Sequence, residues 1–158
     1  MRVEYINPFV ESAYNVLKEV LGTEVHRGEL YLKSTSMPVL GVAALVGLAG
    51  DVEGRVLFDM TKDTAIKIAS TMLESMEMEP ITTLNEMGRA SITELANMIT
   101  GQAVTKLHNL GFKFDLTPPA IFSGENMEIS DSGVEALIVP MELPQGKIEI
   151  NVAVRERG

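Results

Sequence analysis

Between Thr83 and Gly111 the chain has no proline and its apolar residues return at helical spacing, which predicts one long helix that the rest must pack around. Thr83 and Glu86 are spaced as a capping box, so the helix is expected to begin near Leu84. It runs to about Leu110, where Gly111 is placed to stop it. Thr117-Pro118-Pro119 forbids further helix. Pro118 and Pro119 are therefore read as structural, setting the chain's turn after the long helix.

Two shorter helices are expected ahead of it. From Asn7 to Leu21, Phe9, Val10, Ala13, Leu17, Val20 and Leu21 recur at helical spacing, with Gly22 as the stop. Thr61 and Asp63 open another, whose Ala65, Ile66, Ile68, Ala69, Met72, Leu73 and Met76 make a broad apolar stripe ending before Pro80. The rest reads as strand. Leu30 to Ser34, Pro38 to Leu48 and Gly54 to Met60 precede the second helix, with Gly50-Asp51-Val52-Glu53-Gly54 as a hairpin turn. Ala120 to Phe122, Val134 to Met141 and Lys147 to Val154 follow the third.

These elements predict an α+β fold, three helices on a largely antiparallel sheet. A helix followed by strands ending in Gly54-Arg55-Val56-Leu57-Phe58 recurs as a helix followed by strands ending in Gly146-Lys147-Ile148-Glu149-Ile150, so the halves are possible pseudo-symmetric copies. The length, 158 residues, suits a single domain over 1–158, and 46% apolar with 22% charged residues is globular rather than disordered.

Charge and cysteine content exclude several functions. The net charge of -9 repels phosphate backbones and anionic membrane surfaces, so neither nucleic acid nor membrane is an expected partner. The chain has no cysteine, which removes disulfides, thiolate metal sites and a thiol nucleophile and fits a reducing compartment. The longest apolar run, Val39 to Ala49, is too short to span a bilayer as a helix, and its glycines suit a buried strand pair. There is no signal-like N-terminal segment, and the expectation is a cytoplasmic protein.

Advancing about 100° per residue along the long helix gathers Ile92, Leu95, Met98, Ile99, Ala103 and Leu110 on one arc, the expected core face. Ala90, Glu94, Asn97 and Gly101 fall within roughly 60° of one another on the opposite side. Met87 lies at the edge of that strip. The small Ala90 and Gly101 leave room for another protein's surface to approach Glu94 and Asn97. A carboxylate pairs with a lysine, and a carboxamide donates to and accepts from water without repelling a phosphoryl group. Spacing by itself favours the plainer reading, solvated residues on the outer face of an amphipathic helix.

The surrounding sequence is more specific. Ser91-Ile92-Thr93-Glu94-Leu95-Ala96-Asn97-Met98-Ile99-Thr100-Gly101, followed by Thr117-Pro118-Pro119, resembles the CheC/CheX/FliY family of chemotaxis phosphatases, and most closely its CheX branch. The family pattern is an Asp or Ser, then Glu-x-x-Asn, then a distant Pro. The resemblance implies a protein phosphatase acting on the aspartyl-phosphate of a CheY-like response regulator, with Asn97 orienting the attacking water and Glu94 binding the regulator's active-site lysine. It also implies no cofactor of the chain's own, Mg in the partner regulator, and a homodimer. One position departs: Ala90 stands where Asp or Ser is usual, with Ser91 one place later. The first helix offers only Glu11 and Asn15, at a different spacing, so one active site per chain is expected. A non-catalytic module that docks a response regulator, like flagellar switch components, is the alternative.

Other constellations carry less. His26 and His108 belong to no ligand-spaced cluster, so no metal site is expected. Most of the ten methionines, including Met72, Met76, Met78 and Met98, are read as core fillers, with Met87 set apart by its position. No phosphate-binding Gly-rich loop occurs. Glu125, Glu128 and Asp131 are expected to be solvated in a loop.

Overall fold

The computed structural model describes residues 3–33, 37–125, 128–129 and 135–156. Ser34, Asp131 and Val134, which the sequence reading places in a strand, an acidic loop and another strand, lie outside the described residues.

The helices are α1 (Val3–Leu21), α2 (Lys62–Ser75) and α3 (Glu86–Asn109). The strands are β1 (His26–Arg27), β2 (Tyr31–Lys33), β3 (Met37–Pro38), β4 (Val42–Gly50), β5 (Val52–Met60), β6 (Phe114–Leu116), β7 (Ala120–Ser123), β8 (Glu128–Ile129), β9 (Ala136–Leu143) and β10 (Gly146–Glu156). All strand pairs are antiparallel, in the order β1-β9-β10-β5-β4-β6, with β2 also on β9, β7 also on β4, and β3 paired to β8. The α+β reading holds.

That order is nearly palindromic. In each half a helix leads to two short strands that pair with the other half's sheet edge, β1 and β2 on β9, β6 and β7 on β4. A hairpin follows, and the two hairpins join through β5 and β10. The pseudo-symmetric halves suggested by the sequence are therefore present in the topology, and α2 links them.

Strand alternation places Val52, Val56, Phe58 and Met60 of β5 and Ile148, Ile150, Val152 and Val154 of β10 on one face, in the same core as the helices. From α3, Ile92, Leu95, Ile99, Ala103 and Leu107 enter that core. Each large side chain among them contributes roughly 1.5–3 kcal/mol by leaving water. Lys106 Nζ reaches Glu11 Oε2 at 3.1 Å, and Tyr5 meets Phe112 edge to face at 5.0 Å, tying α1 to α3 and its exit.

Several expected boundaries move. Helix α1 begins at Val3, not Asn7, and contains Pro8, because burying Tyr5 and Ile6 outweighs the hydrogen bond that Pro8 cannot make. The Thr83/Glu86 capping box does not form: Asn85 is the N-cap, its Oδ1 accepting from Gly88 N at 2.9 Å. Residues 39–49 are not a strand pair, since Val42–Gly50 is one strand. The β4–β5 ladder ends at Leu48 opposite Gly54, so the hairpin connection lies where expected, and Gly50 and Val52 extend the strands only through their pairing with β6 and β10.

Pro118 and Pro119 do not make the turn after the long helix. Gly111, at φ 97°, does that, with Gly111 N donating to His108 O and Phe112 N to Leu107 O. The prolines instead separate β6 from β7 along the outer side of β4. There Thr117 N donates to Gly47 O, and Gly47 N to Thr117 Oγ1 at 2.8 Å. Two residues without an N–H thus interrupt a strand at the sheet edge, where they discourage pairing with another chain.

Candidate active site

Helix α3 holds the strip rigidly. Its N-cap, its closed C-terminus and its buried inner row fix the outer row. Polar residues on the inner side satisfy themselves within the helix: Ser91 Oγ donates to Met87 O at 2.9 Å and Thr100 Oγ1 to Ala96 O at 2.8 Å, both residues buried.

The four residues expected on the outer strip, Ala90, Glu94, Asn97 and Gly101, are all exposed. Among the described residues, neither the Glu94 nor the Asn97 side chain has a hydrogen-bond or ion-pair partner. Three residues apart on one helix, they stand about 5–6 Å from each other at Cβ. A carboxylate acceptor and a two-way carboxamide therefore project side by side from a fixed rod. Ser91, buried and bonded to Met87 O, does not substitute on this strip for the missing Asp or Ser at Ala90.

Gly101 is not needed by the chain's own packing. A Cβ there would meet nothing within 4 Å, whereas one at Gly88 would lie 2.6 Å from Ile81 Cδ1. Glycine inside a helix costs about 1 kcal/mol relative to alanine, so the fold carries that cost at Gly101 without a return of its own.

The first helix carries no second copy of the strip. Counting both helices back from their positive-φ glycines, Gly22 and Gly111, puts Tyr5 and Pro8 where α3 has Glu94 and Asn97, and both are buried. Glu11 is engaged by Lys106.

The sequence reading missed the surface beside Glu94. Met76, Met78 and Met98 are 58%, 41% and 37% exposed, so of the four methionines expected as core fillers only Met72 is buried, while Met87, set apart in the sequence, is 44% exposed. They line a groove of about 480 Å³ with Ala90 and Glu94. Met98 sits where the helical wheel turns from core arc to polar strip, and Leu110, also expected in the core, is the exposed C-cap. Met76 lies just past the end of α2, off its buried stripe. The helical angle of Met87 and Met98 next to Glu94 is the signal that was available.

His26 pairs with Glu24 at 3.5 Å, while His108 packs on Phe114 at the end of α3. Among the described residues no group of three or more His, Cys, Asp or Glu could hold a metal ion. The groups with displaced pKa, Asp59 and Tyr31, lie on the strands and not on α3.

Comparison with known proteins shows what the chain as a whole is similar to. The sequence profile described as "Chemotaxis phosphatase CheX" matches residues 42–142. The CheY-P phosphatase CheX of Thermotoga maritima is 28% identical over the whole of both chains. A chain in the crystal structure of the CheX-CheY-BeF3-Mg+2 complex from Borrelia burgdorferi is 45% identical and superposes with a TM-score of 0.83, covering 98% of this chain and 100% of that one. The chemotaxis protein CheX from Vibrio vulnificus gives 28% identity and a TM-score of 0.84 over 97% of this chain and 100% of its own.

Proposed function

Because the chain belongs to the CheX family of chemotaxis phosphatases, we propose that it hydrolyses the aspartyl-phosphate of a CheY-like response regulator, using Glu94 and Asn97. The observation that carries this reading is the exposed, unengaged pair on α3 between Ala90 and Gly101. The similar Borrelia burgdorferi protein is in a CheX-CheY-BeF3-Mg+2 complex, and the Thermotoga maritima relative is a CheY-P phosphatase.

In this reading α3 lies across the regulator's phosphorylation site. Glu94 pairs with the regulator's lysine, a charge-assisted contact that sets the register. Asn97 accepts from one water and donates to it through its carboxamide, holding the oxygen in line with the phosphorus. That oxygen attacks, the bond between phosphorus and the aspartyl oxygen breaks, and inorganic phosphate leaves with the water's oxygen and both of its protons while the regulator keeps its carboxylate. Alignment and electrostatics supply the rate, since phosphoryl transfer asks for little covalent help. Mg belongs to the regulator in this scheme and neutralises phosphoryl charge there.

We also read the protein as a cytoplasmic homodimer. No helix among the described residues is long and apolar enough to cross a membrane. Tyr31 and Leu32 of the short edge strand β2 and Leu30 just before it are exposed, which favours self-association there. Mixing the purified protein with phosphorylated CheY-like regulators and timing phosphate release tests the activity. An unchanged phosphoryl lifetime for every regulator would refute it.

A further inference from the structure

We propose that the methionine-lined groove beside Glu94 is a second docking element, and that it receives an apolar helix flanked by basic residues on the same response regulator. The proposal rests on the reading above for the identity of the partner, and on three observations for the groove.

The first is continuity. Ala90 and Glu94 belong both to the strip and to the groove's lining, so a protein seated over Glu94 and Asn97 also covers the groove. The second is chemistry. Met76, Met78, Met87 and Met98 present flexible, polarizable side chains that adapt to an apolar ridge. Glu94 is the only charged residue in the lining, and the segment from Glu74 to Glu86 carries four glutamates and no lysine or arginine. An apolar trough with an acidic border favours a helix whose apolar face is bordered by Lys or Arg.

The third is backbone strain. Helix α2 closes with Glu77 N donating to Glu74 O and Met78 N to Leu73 O, which puts Glu77 at the left-handed position that usually takes glycine. Glu77, at φ 61°, is the one non-glycine residue with positive φ among the described residues. Glu77 follows Met76 and precedes Met78 in the chain, two residues of the lining, and keeps a carboxylate at a backbone position where a glycine would fold more easily.

The test uses the full chain and CheY proteins loaded with beryllofluoride in magnesium buffer. For the Met76→Gln/Met98→Gln pair, both exposed in the free protein, we expect Kd to rise about tenfold or more, with lost dephosphorylation recovered at high regulator concentration. Unchanged affinity overturns the proposal, as does a loss that high concentration does not recover. Glu77→Gly provides a second arm, because it relieves strain and so does not unfold the protein. It should raise the melting temperature while weakening binding about threefold, by analogy with a border charge, and undiminished binding overturns the acidic border. Absence of phosphatase activity in the unaltered protein would count against Asn97 chemistry, while the titrations would still decide the groove.

Discussion

Asp59 of β5 and Glu149 of β10 lie directly opposite each other on the two central strands, and both are buried. Like charges in that relation destabilise a sheet unless one is neutralised. The structure supplies partners: Asp59 Oδ1 and Oδ2 accept from Leu40 N at 2.9 and 3.1 Å, Tyr31 Oη donates to Glu149 Oε2, and Lys147 Nζ stands 3.4 Å from Glu149 Oε1. Burial nonetheless pushes the Asp59 carboxyl up to about 6, Glu149 adding to the effect. Desolvation, and next the hydrogen bond to Glu149, push the Tyr31 hydroxyl up to about 12.

The sign of the consequence follows from where the proton sits. The folded protein holds a proton on Asp59 up to about pH 6, while the unfolded chain releases it near 3.8, so this group's contribution to stability falls as pH rises between those values. Asp59→Asn should be more stable than the unaltered protein at pH 7.5 by on the order of 1–3 kcal/mol. The advantage should shrink towards pH 4. Urea denaturation at the two pH values measures it, and a difference independent of pH contradicts the assignment.

Asn97→Ala should slow hydrolysis of the regulator's phosphoryl group by about 10²-fold, equivalent to roughly 2.7 kcal/mol, as for loss of one preorganised polar group. Binding of the regulator should persist. Phosphate release under saturating conditions is the measurement, and an unchanged rate would leave only a docking role for α3.

Glu94→Lys should weaken regulator binding by about 10²-fold or more, because a lysine then faces a lysine. The residue is exposed, so the fold should survive. Titration calorimetry reads the affinity, and an undiminished value removes Glu94 from the docking contact.

Gly101→Ala should act with opposite signs on fold and function. With open space around the position, alanine should stabilise α3 by about 0.5–1 kcal/mol. Its methyl group should also hold the regulator off the strip and lower the affinity. Thermal melting and a binding titration on the same sample check both, and a variant that gains stability without losing affinity shows that Gly101 is not reserved for a partner.

The periodicity of residues 84–110 was enough to place Glu94 and Asn97 together on the outside of a helix and Ile92, Leu95, Ile99 and Ala103 inside it. Helix stops at Gly22 and Gly111 were legible too, because a positive φ is a local demand that glycine meets. Asn85 was not legible as the N-cap. Thr83 and Glu86 satisfy the same local pattern, and the choice between them depends on where Gly88 packs against Ile81 and Leu84.

What sequence periodicity determined by itself was the polar strip of α3 and the order of the three helices and the longer strands, whereas the short strands β1, β3, β6 and β8 were not legible because only their partners in the sheet define them. Only the tertiary structure decided what lies beside the strip. Met76 and Met78 reach Met87 and Met98 because α2 packs on α3 and turns at Glu77. A methionine reads the same whether it fills a core or borders a groove. Burial is settled between elements distant in the chain, so no local pattern could assign it.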